Sequence, residues 1–342
     1  MAVGELVTYL HGRFKGYPGR VTVSTPTQLG GYSNPRRAEF EVSIDKEMEP
    51  VLLTVYVSGK SLLPRMPWRV RFGTVNLIRE FRPQTLTTYK ERSYAAMVFD
   101  VTQIVREPGK YPVMISCDSA EPVEVNAVEV VGIVKDETMV SDVVYSAGAA
   151  VIPPGDSFSF RFPAPEQDIR NAGVYILATI PSTQSVLKAV MGEASYEIRN
   201  IIGTDEYFMK LPPTTSDDIE LRYEILNPLA TGTAVLHSLT LFRTPNEGPR
   251  LSVTAKIEGG NVVVNISNNG DTAAENTMLV VISAGHVIFR ARIGDVLPGR
   301  AVTREVPIKG DIKGRRTVAR VIYDTFMGQK IEDVDLTAML KG

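Results

Sequence analysis

Runs that alternate apolar and polar residues recur along the whole chain, and helical spacing is almost absent. Ala38–Ile44, Val51–Val57, Ser157–Phe162 and Ile219–Ile225 are examples, rich in Val, Ile, Tyr and Phe and bounded by Gly, Pro, Asn and Asp. A period of two puts alternate side chains on opposite faces of a sheet, so each run reads as a strand with one face for a core. Only Gln103–Glu107 and Asp333–Leu340 carry a helical pattern, and both are short. Many short strands with frequent turns predict an all-β chain of tandem antiparallel β-sandwiches.

At 342 residues the chain exceeds one ordinary core and fits two or three domains. Thr244-Pro-Asn-Glu-Gly-Pro249 is a strong linker, because two prolines and a glycine interrupt strand patterning within six residues. Lys135-Asp-Glu-Thr138 is a softer one. These joints predict an N-terminal strand-forming arm over 1–34, sandwiches over 35–137 and 138–245, and a third over 249–342. The two middle segments share strand order and spacing while few identities match. Val51–Val57 corresponds to Val174–Ile180 and Val123–Val134 to Thr233–Phe242, which predicts a duplication.

The last segment carries Asn261-Val-Val-Val-Asn-Ile-Ser-Asn-Asn-Gly270, then Thr277–Ser283, then Ile293-Gly-Asp-Val-Leu-Pro-Gly-Arg-Ala-Val302. Over about residues 250–307 it resembles the immunoglobulin-like adhesion modules of CARDB type found on microbial surface proteins. That resemblance implies a module that holds, spaces and presents. Earlier, Phe99-Asp-Val-Thr-Gln-Ile-Val-Arg-Glu-Pro-Gly-Lys-Tyr-Pro-Val-Met-Ile115 is similar to a pattern of galactose-binding-like jelly rolls, which would make residues 36–134 such a domain. In physical terms, Asp100 and Thr102 suit side-chain capping of a turn, and Pro108-Gly109 suits chain reversal. The second copy has Leu211-Pro-Pro-Thr-Thr-Ser-Asp-Asp-Ile219 at that place. Two jelly-roll-like sandwiches and one immunoglobulin-like sandwich are therefore expected.

Hydrophobic residues make up 44% and charged residues 22%, with a net charge of −2. Nothing in that balance draws the chain to nucleic acid or an anionic membrane. No stretch reaches the roughly 18 apolar residues of a membrane-spanning helix. The first residues, Met1–Arg13, lack the basic and apolar regions of a signal peptide. An extracellular, cell-surface or virion setting follows from the adhesion-like resemblance, and a cytoplasmic one from the missing signal. Cys117, the single cysteine, sits in a strand-like run and reads as a small buried hydrophobe. His11, His237 and His286 are isolated in sequence.

Aromatic residues crowd one stretch: Trp68, Phe72, Phe81, Tyr89 and Tyr94, with Arg69, Arg71 and Arg79 beside them. Sugar-binding modules stack rings on such side chains, which makes Trp68, Arg69, Arg71 and Tyr89 ligand-binding candidates. The alternative is that Trp68 and Phe72 fill a core at alternate positions. Acidic pairs occur at Glu166/Asp168, Asp217/Asp218 and Asp333/Asp335. Asp217 and Asp218 are candidates for a structural calcium ion, and no other cofactor is expected. No phosphate loop, nucleophile elbow or His-Glu metal motif is present.

The arm offers Leu6, Val7 and Leu10 for strand exchange with a neighbouring subunit, or for pairing within its own chain. These features together predict a non-catalytic subunit of a filament, surface layer or virion shell that self-associates into a homo-oligomer or polymer, and no enzyme. A carbohydrate-binding protein that takes a glycan through its jelly rolls is the alternative.

Overall fold

The computed structural model describes all residues except 61–66, 81, 166–167, 214–215, 228–230, 259–260, 308–314 and 338–342. Among the described residues there is no helix, and the strands form several antiparallel sheets. The chain divides into two compact units, Met1–Pro245 and Asn246–Gly342. Asp333–Asp335 ends a strand instead of starting a helix, with 338–340 outside the described residues, and Gln103–Glu107 lies in a turn.

The first unit opens with β1 (Val3–Val23), β2 (Thr27–Leu29), β3 (Arg37–Ile44), β4 (Met48–Gly59) and β5 (Pro67–Phe72). It continues with β6 (Val75–Glu80), β7 (Thr85–Tyr89), β8 (Arg92–Asp100), β9 (Gly109–Cys117) and the 30-residue β10 (Val123–Ile152). A small sheet in the order β3-β9-β5-β6 packs on a larger one whose first half runs β10-β4-β8-β7. Val51, Leu53, Val55 and Val57 of β4 meet Phe40, Val42, Trp68, Val70 and Phe72 in one core. The alternate residues Thr54, Tyr56 and Ser58 are also buried, on the opposite face. At the Phe99–Ile115 pattern, Asp100 Oδ1 accepts the Thr102 backbone N–H at 3.0 Å, and Thr102 Oγ1 accepts that of Val51 at 2.9 Å.

The second half of the unit repeats this plan. It comprises β11 (Ser157–Arg161), β12 (Asn171–Ile180), β13 (Ser185–Met191), β14 (Ala194–Arg199), β15 (Gly203–Leu211), β16 (Asp218–Ile225) and β17 (Ala234–Thr244). Its small sheet runs β11-β16-β13-β14, and its part of the large sheet runs β10-β17-β12-β15. Position for position, β12 stands where β4 stands and β17 where the first part of β10 stands. The hairpin strand β7 is an addition: it extends the first half beyond β8, and among the described residues no strand extends the second half beyond β15.

A β1–β10 ribbon joins the halves. Val3–Lys15 pairs with the end of β10 and Gly16–Val23 with its beginning, with a register shift between Lys15 and Gly16 that passes over residues 136–139. Gly16 sits at this shift with φ +133°, where an added Cβ would lie 1.8 Å from the Val134 carbonyl oxygen, so only glycine fits. One expectation is corrected here. Residues 135–138 are not a linker but lie inside β10, and their polarity reflects a stretch of strand between two cores where Lys135 and Glu137 reach solvent. Of the two pairings open to the arm, the structure has the one within its own chain: Leu6 is buried in the second core, Leu10 packs on the seam between the halves, and Val7 faces outward on a strand paired with β10.

The second unit consists of β18 (Leu251–Glu258), β19 (Asn261–Asn268), β20 (Ala274–Ser283), β21 (His286–Val296), β22 (Ala301–Pro307), β23 (Thr317–Thr325) and β24 (Gly328–Asp335). Sheets β18-β19-β22 and β21-β20-β23-β24 enclose Val264, Ile266, Leu279, Val281, Val321 and Tyr323. Buried Asn268 holds the turn between β19 and β20. Its Nδ2 donates to the carbonyls of Thr272 and Val296, both at 2.8 Å, and its Oδ1 accepts from Gly270 N–H at 2.9 Å.

Candidate functional site

The two halves of the first unit meet along a seam. Tyr56, Ala96, Val98, Ala127, Val131, Tyr145, Ala147 and Leu177 form its apolar part. Glu129 lies at its centre with a fully buried side chain. Its carboxylate accepts from Tyr56 Oη at 2.6 Å, Tyr145 Oη at 2.9 Å and Ser238 Oγ at 3.0 Å, and pairs with Arg20. Burial, and then the Glu129 charge, push both phenols well above their usual range. Filled acceptors and exclusion from solvent make this cluster a support for the seam, since a reacting group needs access to its substrate.

Toward one end the same face opens. Tyr56 and Ser58 follow each other on β4, Ser58 pairs with Tyr94 of β8, and Tyr89 of β7 pairs with Arg92. Period-two alternation therefore carries the seam face outward from Ala96 through Tyr94 to Arg92. The β7–β8 hairpin closes with the two-residue turn Lys90-Glu91, in which Lys90 takes φ 53°. Across from it lie Pro154 after β10, Ile225 at the end of β16, and Thr231–Thr233 before β17. Together with Lys60, Tyr89–Arg92 and Tyr94 they line a cleft of about 500 Å³, a size suited to a small molecule or a few sugar rings.

Neighbouring groups preset the side chains in this cleft. Arg92 donates to Ser58 Oγ at 2.7 Å, pairs with Glu124, and lies over the Tyr94 ring, 5.9 Å from its centroid. Lys90 lies over the Tyr89 ring at 5.3 Å. Two half-exposed aromatic rings, backed by cations and by threonines of the opposite wall, form a platform with polar edges.

Of the candidates read from sequence, Tyr89 alone reaches this cleft. Trp68 is fully buried in the first core, and Arg69 points to solvent on the other face of β5. Arg71 is half-buried on that same outward face, and Phe72 stacks on Tyr111 with centroids 5.4 Å apart. Trp68 as a sugar platform is therefore corrected: a ring closed in by β4 and β9 side chains has no face to offer. Phe81 and Glu166 lie outside the described residues. Lys60, Lys90, Arg92 and Tyr94 carry the cleft with Tyr89; the signal for all but Lys60 is Tyr89-Lys-Glu-Arg-Ser-Tyr94, a charged turn between two tyrosines.

Asp217 is engaged by Arg243, whose Nη1 lies 3.0 Å from its Oδ1, while Asp218 faces Arg161 at 3.8 Å. Among the described residues, no group of three or more His, Cys, Asp or Glu is placed to hold a metal ion. Burial, and then Asp118, push the Cys117 thiol up to about 12, far from a reactive thiolate. No helix among the described residues is long and apolar enough to cross a membrane.

No family model matches the chain, and no curated protein matches it. Among solved structures, PNGase F, a glycosylasparaginase from Flavobacterium meningosepticum, is similar over 66% of this chain and 96% of its own, at 10% identity and a TM-score of 0.26. The glycoside hydrolase domain of Endo-D from Streptococcus pneumoniae R6 is similar over 59% of this chain, at 10% identity and a TM-score of 0.22. A β-glucuronidase from an uncultured Clostridium is similar over 56%, at 7% identity and a TM-score of 0.21. This chain spans only 34% of each of those last two. At such scores the likeness assigns neither a reaction nor a site. The expectation of a non-catalytic assembly subunit is corrected by the arm that motivated it, which is paired inside its own sheet, and the expectation of no enzyme is withdrawn with it.

Proposed function

We propose that the chain binds carbohydrate, and that the cleft between the two halves of the first unit takes the sugar. The observation that carries this reading is the β7–β8 hairpin. It departs from the plan shared by the two halves, and it brings Tyr89 and Tyr94 to the mouth of the cleft. A pyranose ring presents a face of C–H groups that packs on aromatic rings, while its hydroxyls need donors and acceptors at the rim. Here Thr231, Thr233 and Glu91 supply that rim.

The test is a glycan array followed by titration calorimetry on the strongest ligand. Tyr89→Ala and Tyr94→Ala should each weaken binding tenfold or more while circular dichroism and melting stay those of a folded protein. Absence of any glycan ligand, or full binding by the folded double variant, overturns the reading.

A further inference from the structure

Lys60 and Lys90 both line the cleft, both are exposed, and neither is ion-paired among the described residues. Arg92, the third cation, is already committed to Glu124. Glu91 is the one carboxylate of the lining among the described residues. The chain as a whole is slightly acidic, so this local excess of positive charge is not a general property of its surface.

We infer that the cleft selects anionic glycans, with Lys60 and Lys90 as the residues that recognise a sugar carboxylate or sulfate. This deepens the carbohydrate reading above and rests on it. The hairpin turn fixes the backbone of Lys90 and the Tyr89 ring supports its side chain, so its ammonium is held at the rim. A neutral sugar would use the tyrosines and the rim of Thr231, Thr233 and Glu91 without the lysines. An acidic one adds an attraction that weakens as salt screens exposed charges.

The experiment compares pairs of equal skeleton in the full chain: trigalacturonate against its methyl ester, and a sulfated galactan oligosaccharide against its desulfated form. We expect at least one anionic member to bind tenfold or more tightly than its neutral partner at low salt, with the gap closing in 0.5 M NaCl. Whether the first pair, the second or both respond separates carboxylate from sulfate recognition, and each result supports the inference. The double variant Lys60→Gln/Lys90→Asn should bring the anionic-to-neutral ratio close to one; asparagine tolerates the left-handed backbone at position 90. Equal binding within both pairs overturns anion selection and leaves the cleft as a neutral-sugar site. No binding by any member of either pair overturns it too, and the glycan array then decides whether the carbohydrate reading stands without it.

Discussion

Arg20 of β1 lies 2.8 Å from Glu206 of β15, closing a partly buried ion pair between strands on either side of the seam. Arg20 also meets Glu129 and sits over the Tyr175 ring, 5.1 Å from its centroid. Its side chain is 4% exposed and that of Glu129 is not exposed at all. One buried guanidinium thus balances two carboxylates, Glu129 where water does not reach and Glu206 at the edge of solvent.

Removing that guanidinium leaves Glu129 charged among hydroxyl donors alone. Arg20→Met should destabilise the first unit by about 3–5 kcal/mol, the cost of leaving a buried charge unpaired. Arg20→Lys, which keeps the charge and loses the planar fork, should cost less. Adding Glu129→Gln to Arg20→Met should recover part of the loss. Urea unfolding curves check the order of the three variants, and a neutral Arg20→Met would show the pair to be dispensable.

His237 gives the molecule a dependence on pH. It is buried on β17 beside the Tyr56 ring, with Nε2 2.7 Å from Thr179 Oγ1, and burial lowers its pKa from 6.5 to about 3. The unfolded chain takes up a proton below pH 6.5 while the folded chain refuses it. Stability is therefore complete above pH 6.5 and falls toward pH 3, by about 1.4 kcal/mol per unit from this residue. His237→Gln should remove that part of the slope. Parallel slopes in the two proteins between pH 6 and 4 would place the dependence elsewhere.

The N-terminal arm is a folding element. Deleting residues 1–24 would strip β10 of a partner along nearly its whole length, expose its backbone donors and acceptors, and remove Arg20. The truncated chain should fail to give a cooperative melt by circular dichroism. A truncated protein that folds and changes only its mass in light scattering would restore a role in association.

Period-two alternation made the strands legible, because the spacing of side chains on a sheet is local. The correspondence of β4 with β12 was legible for the same reason. The path of the chain was not. Lys135–Thr138 looks like a joint because polar residues mark solvent, yet a strand crossing between two cores is equally solvated while it runs on unbroken. Trp68 shows the same limit at the level of the site. Alternation with Val70 and Phe72 placed it on one face of β5, and only the position of β4 decided that this face is closed. Tyr94 and Lys60 meet in the cleft through sheet pairing and a turn, a proximity that neither segment encodes alone.

Core and cleft can be separated by one pair of measurements on Trp68. Its ring is fully buried among Val and Ile side chains of β4 and β9, so Trp68→Ala opens a large cavity and should cost about 3–5 kcal/mol. Trp68→Phe retains most of the volume and should cost less, leaving a protein folded well enough for binding studies. Its affinity for the array's best glycan, measured below its melting transition, should match that of the unaltered chain, because the cleft is lined by Tyr89 and Tyr94 and not by β5. Tyr89→Ala should show the converse, with affinity lost and melting little changed. If Trp68→Phe loses affinity in proportion to Tyr89→Ala while remaining folded, the sugar site lies on β5 and the cleft is not the place of recognition.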